Sequence, residues 1–357
     1  MTEDRADVKP HLERLAEAIR QAALATSERV LAAFRAVPRH AFLLGGVEVL
    51  DGEVPPKALQ CDPHCPSAEA LDLVYGNWSL LQRRRCSDDI TRITANSLPS
   101  LTAQALTALE VEEGQRVLEV GSGTGYAAAL LGHLVGTAGA VVSVDIVPDF
   151  VRAAQRAIAE LGLKQVSVVE GDGASGYPAA SPYDRILASV SLREVPRGWL
   201  EQLQPEGRIV LPLRLTAGGD VLVVFQQEGE GLAGRGLRSC GYQEIEGQQM
   251  YDDRGLEVLL EREGESPDFI GAMVKDSEEA WCFRFWLRLQ NDPVVSAVEA
   301  RARLVAGYAR WVEQGRPGPC DLRLQVTCSY PAADPGRTAL TRPWSDGRWC
   351  RVWFERL

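Results

Sequence analysis

The spacing of hydrophobic residues divides the chain into a helical start, an irregular segment and a long region of alternating helices and strands. Apolar residues recur at helical intervals over 11–25 and again from Ser27 to about Ala36, where Pro38 ends the pattern. Residues 45–94 show no such repeat and carry turn-forming residues throughout. We therefore expect two amphipathic helices, followed by substrate-facing loops that contribute little to the core.

Beyond residue 100, helical and strand patterns alternate. The predicted helices lie at 100–109, 126–135, 149–161 and 196–203, and the predicted strands at 116–120, 140–145, 166–170, 185–189 and 208–212. Such alternation is typical of a parallel sheet covered by helices on both faces. The sequence therefore predicts an α/β fold, a doubly wound Rossmann-like sheet behind a helical N-terminal region.

The pattern changes again near residue 235. Six of the eight Trp residues lie beyond residue 280, where alternating stretches at 281–289 and 348–354 flank a helix candidate at 294–313. We expect a smaller α+β extension, which either recognises a peptide or serves as a packing or dimer module. The expected parts are N-terminal helices and loops (1–99), a cofactor-binding core (100–234) and a C-terminal extension (235–357).

Composition and charge narrow the classes of function. The chain of 357 residues has a formal net charge of -11, and its only dense basic segment is Arg83–Arg85, so we expect no nucleic-acid partner. The N-terminus has no apolar signal core, and glycines divide the uncharged stretch 126–144. We therefore expect a cytoplasmic protein with no membrane partner. The sequence leaves the oligomeric state open.

The cysteines offer one metal-like cluster. Cys61, His64 and Cys65 bring two thiols and an imidazole within five residues, and Cys86 could fold back to complete a zinc site. No second ligand pair stands at a standard spacing. We expect no metal and interpret these as loop or packing cysteines, with structural zinc as the alternative.

The clearest chemical motif is a hydrophobic strand that runs into a Gly-x-Gly-x-Gly turn and then a helix. Glycines let the backbone approach a ligand closely, and the helix N-terminus offers free N–H groups to an anion. At the ends of the next two strands, Asp145 can accept both hydroxyls of a ribose and Asp172 can accept the amine of an adenine. The candidate cofactor-binding residues are Glu119, Gly121, Ser122, Gly123, Gly125, Tyr126, Asp145, Ile146, Gly171, Asp172 and Gly173.

This pattern indicates S-adenosyl-L-methionine as the cofactor. A dinucleotide enzyme favours Gly-x-Gly-x-x-Gly, which seats a pyrophosphate. Here Glu119 precedes Gly-x-Gly-x-Gly, which suits a ligand with an amino-acid end: Glu119 would face its ammonium, and the loop would bind its carboxylate. A nicotinamide cofactor and a loop that has lost its ligand are the alternatives.

Further motifs occur in a fixed order around the glycine turn. They are Val37-Pro38-Arg39-His40, Ser97-Leu98-Pro99, Gly171-Asp172-Gly173 followed by Gly176-Tyr177, and a final run from Leu203 to Pro212 that contains Gly207-Arg208. Together they resemble the protein-L-isoaspartate (D-aspartate) O-methyltransferase family over about residues 28–215. The resemblance implies a methyltransferase that acts on the side-chain carboxylate of an Asp or isoAsp residue in a peptide or protein.

The implied chemistry requires positioning more than acid–base catalysis, because the substrate carboxylate is already ionised at neutral pH. By resemblance, Ser97 would hydrogen-bond that carboxylate, although a Ser before a helix is commonly a cap. Asn96, at a position where the family commonly has a different residue, would either bind a substrate amide or cap a turn. Ser97 and Asn96 are the candidate catalytic residues.

Departures from the family pattern bear on the choice of substrate. Arg193 could pair with an acidic peptide, as could Arg83–Arg85, but we favour exposed, solvated side chains for both. Repair-type members end soon after the sheet, whereas extended members resemble the tailoring enzymes of ribosomal peptides (lanthipeptide, lasso and graspetide pathways). We therefore favour methylation of an Asp in a dedicated peptide, whose ester can collapse to an aspartimide. Isoaspartyl repair is the alternative, and an inactive cofactor-fold binding subunit is the second alternative.

Overall fold

The structure, a computed structural model, describes most of the first 242 residues and a few segments near the C-terminus. The described residues are 7–23, 26–43, 45–50, 57–216, 219–228, 231–242, 312–313, 322–327, 338–343 and 349–356. The chain divides into two compact units, one of Met1–Val190 and Pro196–Val210, the other of Ser191–Val195 and Leu211–Leu357. The second unit thus takes in residues ahead of the expected boundary at 235, and residues 1–99 share a unit with the core.

Two helices open the first unit, as predicted. Helix α1 (Lys9–Ala22) buries Leu15 and Ile19 on one face. Helix α2 (Glu28–Ala36) begins after Ser27, whose side chain accepts a hydrogen bond from the Val30 amide at 3.2 Å. The cap satisfies one of the amides that a helix N-terminus leaves without a partner.

The segment expected to consist of loops instead forms an antiparallel sheet and a short helix, so that prediction was wrong. Strands β1 (Gly45–Leu50), β2 (Lys57–Cys61), β3 (Ser79–Arg85) and β4 (Thr91–Asn96) lie in the order β2-β1-β3-β4, with helix α3 (Ala68–Val74) between β2 and β3. These strands bury only every second residue and carry charges on the other face, so they lack the apolar runs that mark a core strand.

The turn of the β3–β4 hairpin docks on the start of helix α6 (Pro148–Glu160). The Ser87 amide and hydroxyl both donate to Asp149 Oδ2, at 2.7 and 2.8 Å. Buried Cys86 packs with Val147 and Phe150. The hairpin is therefore held beside the end of the strand that precedes α6.

A parallel sheet forms the core of the first unit. Its strands are β5 (Arg116–Val120), β6 (Ala140–Asp145), β7 (Val166–Glu170), β8 (Tyr183–Ala188) and the first part of β9 (Leu203–Thr216), in the order β9-β8-β5-β6-β7. The helices between them are α5 (Tyr126–Val135), α6 and α7 (Arg197–Gln202), and α4 (Pro99–Leu109) precedes β5. The order reverses between β5 and β8, which is where ligands bind in open α/β sheets. The predicted doubly wound α/β fold is confirmed.

The second unit consists largely of antiparallel strands where it is described. Strand β10 (Gly219–Glu228) pairs with β11 (Gly231–Cys240), β11 with β12 (Leu322–Thr327), β12 with β14 (Trp349–Arg356) and β14 with β13 (Thr338–Pro343). Strand β14 confirms the strand predicted at 348–354. The predicted strand at 281–289 and nearly all of the helix candidate at 294–313 lie outside the described residues. No helix among the described residues is long and apolar enough to cross a membrane.

Arg193 belongs to a short segment of the second unit, and the expectation that it would be exposed was wrong. Only 8% of the residue is accessible, and its neighbours Leu192 and Val195 are fully buried. Leu192 donates to Pro212 O at 2.9 Å and accepts from the Arg214 amide. These backbone bonds hold the segment against a strand, so its charged residue is enclosed.

One fully buried cation joins the segments that lead to the predicted catalytic residues. The Arg39 guanidinium donates at 2.9 to 3.2 Å to five carbonyl oxygens, those of Val74, Gly76, Trp78, Asn96 and Ser97. Burial lowers the pKa of Arg39 to about 10, so the group stays charged at neutral pH. The carbonyl dipoles stabilise this charge, and in return the guanidinium fixes the chain on both sides of the hairpin.

Replacing Arg39 with Lys should lower the free energy of unfolding by about 2 to 4 kcal/mol. An ammonium has three donors in place of a planar fork, so several buried carbonyls would lose their partner. The matched control is Arg35→Lys, because Arg35 pairs with Glu13 and Glu28 near the surface and should change stability by about 0.5 kcal/mol at most. Urea denaturation measures both, and equal effects would contradict the role given to Arg39.

Candidate functional site

The glycine loop joins β5 to α5 at the carboxyl edge of the parallel sheet. Gly121 (φ +92°) and Gly123 (φ +50°) adopt left-handed backbone conformations, which side chains other than glycine rarely tolerate. A Cβ at Gly121 would lie 2.6 Å from Val190 Cγ1, and one at Gly123 would lie 2.9 Å from Thr94 Oγ1. The loop therefore needs its glycines for close packing beneath strand β4 as well as for conformation.

Free amide groups remain at the start of helix α5. Gly125 precedes the helix with no side-chain cap, and the first helical amide with a partner is that of Ala129, which donates to Gly125 O at 3.0 Å. Tyr126 contributes its backbone to this first turn. The centroid of its ring lies 6.0 Å from that of Phe34 and 5.5 Å from that of Phe42. A helix start of this kind suits an anionic group such as the carboxylate of an amino acid.

Asp145 ends strand β6 and turns its carboxylate back onto the loop. Its Oδ2 accepts from the Gly123 amide at 2.8 Å, and its Oδ1 accepts from the Val147 amide at 2.9 Å. The next residue, Ile146, is 43% exposed, which is unusual for a large apolar side chain in this protein. A carboxylate beside an exposed apolar surface suits a ribose next to an aromatic base.

Glu119 lies fully buried below the loop. Its two carboxylate oxygens accept from Ser143 Oγ at 2.6 Å and from Ser189 Oγ at 3.0 Å. Ser143 Oγ is also 2.6 Å from Ser122 Oγ, so hydroxyl groups connect the acid to the loop. Burial raises the pKa of Glu119 to about 7. A direct contact between Glu119 and a ligand ammonium stays a prediction.

The third predicted group follows strand β7 at the same edge. Asp172 is exposed, and its Oδ1 accepts from the Ala174 amide at 2.9 Å. A Cβ on Gly173 would overlap Val120 Cγ1 at the end of β5, whereas one on Gly171 would lie 3.4 Å from Val144 Cγ1, an ordinary contact. The structure thus brings together the residues predicted at the ends of β5, β6 and β7.

Ser97 and Asn96 stand between β4 and α4, next to the glycine loop. The Asn96 side-chain amide donates to Thr124 Oγ1 at 3.2 Å, while Asn96 Oδ1 is buried with no partner among the described residues. Ser97 is half-buried, and its hydroxyl makes no hydrogen bond within the described part of the chain. Helix α4 starts after Leu98, which makes no side-chain capping bond, and Ser97 does not act as the cap that the sequence allowed.

The segment between Cys61 and Cys86 holds no metal site in the described structure. Cys61 is buried and Cys65 is exposed, and burial raises the pKa of the Cys61 thiol to about 11. Cys86 packs against helix α6 instead of completing a cluster. No group of three potential ligands occurs among the residues that are described.

Several residues that shape this site were not predicted from the sequence. Arg39 appeared only as part of a family motif, and nothing in its neighbours revealed that carbonyl groups would surround it. Trp199, fully buried, donates to Gly173 O at 2.9 Å and so fixes the turn after β7. Thr124 could have been found, because it lies within the glycine motif and is the partner of Asn96.

The residues present fit S-adenosyl-L-methionine. The uncapped start of α5 offers donors that would suit a carboxylate, and Asp145 would suit a ribose. Asp172 and Ile146, both exposed, would suit a base. These protein groups suit a nucleoside that carries an amino acid. Among the described residues, no cluster could hold a metal ion.

Gly173→Ala should lower the free energy of unfolding by about 1 to 3 kcal/mol and weaken cofactor binding, because the new Cβ would push Val120 at the end of β5. Gly171→Ala is the matched control in the same turn and should change stability by less than about 1 kcal/mol. Denaturation and calorimetric titration measure the two effects. Equal stabilities would show that packing on Val120 does not require glycine.

Glu119 should make stability depend on pH. The unfolded carboxyl ionises near pH 4.5 and the folded one near pH 7, so its contribution is complete below pH 4.5 and is lost between pH 4.5 and 7. The loss is about 3 kcal/mol at 1.36 kcal/mol per pKa unit. Glu119→Gln should remove it, so the variant should gain stability relative to the native protein over this range. Urea denaturation at several pH values measures the difference, and a constant difference would rule out the raised pKa.

Comparison with known proteins places this site in a family. The profile of Protein-L-isoaspartate(D-aspartate) O-methyltransferase (PCMT) matches residues 85–247. Protein-L-isoaspartate O-methyltransferase 2 of Archaeoglobus fulgidus is 33% identical over 201 residues, which are 56% of this chain and 77% of that protein. The protein-L-isoaspartate O-methyltransferase of Methanoculleus marisnigri is 33% identical over 202 residues, 57% of this chain and 76% of its own length.

A solved structure of a protein-L-isoaspartate O-methyltransferase shares the fold, with a TM-score of 0.55 at 23% identity, over 88% of this chain and 96% of its own. On the strength of the relatives that it matches over most of their length, this chain belongs to the protein-L-isoaspartate O-methyltransferase family of S-adenosyl-L-methionine-dependent enzymes, which confirms the predicted enzyme class and cofactor.

Proposed function

We propose that this enzyme methylates the side-chain carboxylate of isoaspartyl residues in many proteins or peptides, as a repair-type methyltransferase. The observation that carries this proposal is the Asn96–Thr124 hydrogen bond. It ties the segment that bears Ser97 to the cofactor loop, so a carboxylate bound by the Ser97 hydroxyl would lie beside the ligand held in that loop. The isoaspartyl substrate is the one named for the relatives from Archaeoglobus fulgidus and Methanoculleus marisnigri.

The proposed chemistry rests on positioning. When bound, S-adenosyl-L-methionine supplies an electrophilic methyl group. The unengaged Ser97 hydroxyl donates to one oxygen of the substrate carboxylate, and Asn96 holds the segment that carries Ser97 through its hydrogen bond to Thr124. No side chain needs to remove a proton, because the carboxylate is ionised at neutral pH. Holding the reacting atoms in line can contribute about 7 to 11 kcal/mol to lowering the barrier.

Tailoring of a dedicated ribosomal peptide, with collapse to an aspartimide, is the competing interpretation. It rested on the C-terminal extension, which repair-type members were expected to lack. A solved protein-L-isoaspartate O-methyltransferase is matched over 88% of this chain and 96% of its own, so a protein of that name also has a length well beyond that of the methyltransferase core. The extension therefore does not favour tailoring over repair.

Mass spectrometry of unrelated isoaspartyl peptides, incubated with enzyme and S-adenosyl-L-methionine beside the matched Asp peptides, tests the substrate. We expect a mass gain of one methyl group on several isoaspartyl peptides and none on their Asp forms. If none of the peptides is methylated by a sample that binds the cofactor in calorimetry, the repair proposal is overturned. A dedicated peptide substrate is then favoured. Absence of cofactor binding would favour the inactive binding subunit.

Ser97→Ala should lower kcat roughly 10- to 100-fold while leaving cofactor affinity within about twofold, because the lost hydrogen bond acts on a charged substrate group. Ser167→Ala is the control, since Ser167 is an exposed serine of strand β7. Steady-state kinetics and calorimetry separate the two quantities. Native kcat in Ser97→Ala would remove Ser97 from the catalytic machinery.

A further inference from the structure

A polar cleft opens beside the glycine loop, at the junction of the β3–β4 hairpin with helix α6. It has a volume of about 270 Å³, and its lining includes Gly123, Thr124 and Thr94. Two aromatic residues, Phe42 and Phe150, also line it. Since Thr124 is also the partner of Asn96, the cleft adjoins the place proposed for the reacting carboxylate.

The basic segment Arg83–Arg85 divides between the two faces of the hairpin. Arg83 Nε pairs with Glu48 at 2.7 Å, and Arg85 Nε pairs with Asp89 at 3.1 Å, both at the protein surface. Arg84, between them, points the other way and lines the cleft with Gln82. Because side chains alternate between the two faces of a strand, only Arg84 of these three arginines lines the cleft.

Arg84 and Arg156 of helix α6 are cations of the cleft without a carboxylate partner within the described part of the chain. Neighbouring arginines are neutralised: Arg92 pairs with Asp88 at 2.7 Å, and Arg152 with Asp149 at 2.9 Å. His64 and one acidic residue, Glu160, also line the cleft. The protein carries a net charge of -11, so a cleft with two unpaired guanidinium groups is a local exception.

We propose that this cleft binds a carboxylate side chain of the substrate, an Asp or Glu three to five residues from the residue that is methylated. This subsite rests on the proposed function. Strand register gives the spacing: Asn96 pairs with Leu80, and Arg92, four residues before Asn96 in β4, pairs with Arg84. Four residues span about 14 Å of strand, which an extended substrate peptide covers in about four residues. Arg84 and Arg156 supply paired N–H donors that match a carboxylate.

The test compares isoaspartyl peptides that carry Glu or Gln at two to six residues on either side, with blocked termini. For the native enzyme we expect kcat/KM to favour Glu by about three- to tenfold at one position on one side. Arg84→Gln should bring the ratio to about one, and Arg156→Gln should reduce it. Arg83→Gln, the adjacent arginine on the opposite face, should leave it unchanged. Arg84→Glu should reverse the preference in favour of a Lys peptide.

A terminal carboxylate offers the same chemistry, so one Gln peptide is made with a free C-terminus four residues from the isoaspartyl residue. If only this peptide shows the preference, the cleft binds a chain end and the side-chain proposal is wrong. An equal Glu preference in the native enzyme and in Arg84→Gln, or equal losses in Arg83→Gln and Arg84→Gln, would also overturn it. The second result would indicate a general effect of charge.

Fluorescence anisotropy keeps this inference separate from the proposed function. Labelled Glu and Gln peptides are titrated with the native enzyme, Arg84→Gln and Arg83→Gln, with no turnover required. Tighter binding of the Glu peptide that is lost only in Arg84→Gln supports the subsite even if no isoaspartyl peptide is methylated. Equal affinities for both peptides in the native enzyme would contradict the subsite even if methylation is efficient.

Discussion

The site depends on a positive charge that is buried with carbonyl groups around it. A fully buried arginine normally requires an acidic partner, because removing a guanidinium from water is costly. Arg39 instead has five backbone carbonyls from two separate stretches of chain, 74–78 and 96–97. Each stretch would otherwise leave buried acceptors without partners. The two terminal nitrogens of the guanidinium satisfy these carbonyls, so the position of Ser97 follows from the fold of a segment about twenty residues earlier.

The position of Arg39 matters because the β3–β4 hairpin that it supports also packs over the cofactor loop. Thr94 lies so close to Gly123 that no side chain fits between them, and Asn96 reaches Thr124. At its other end the hairpin turn is bound by Asp149, just after the strand that carries Asp145. The cofactor loop is thus held between the parallel sheet and the N-terminal sheet, and a shift of either would alter both the cofactor pocket and the substrate pocket.

Sequence alone predicted the parallel sheet, because its strands are mostly apolar and lie between helices with clear stop signals, as at Val117–Val120 and Val141–Val144, where only Glu119 and Ser143 interrupt the apolar residues. It failed for β1 to β4, where polar residues such as Gln82 and Thr94 are the buried ones. Their burial depends on the glycine loop and on Phe42, which are distant in sequence. Arg193 was misjudged for the same reason, since its enclosure comes from residues about twenty positions later.

Ser97 could be either the cap of helix α4 or a residue that binds substrate. The contact that decides against the cap is made by Asn77, a residue that no local sequence pattern links to Ser97. Helix α4 needs partners for its first amides, and a serine at position 97 is a natural cap. In the structure Asn77 Oδ1 accepts from the Ser100 amide at 2.9 Å, from a turn that Arg39 holds in place through Gly76 and Trp78. Because another side chain serves that helix, the Ser97 hydroxyl remains available. The buried cation therefore both places the serine and, through the turn that carries Asn77, leaves its hydroxyl without a partner among the described residues.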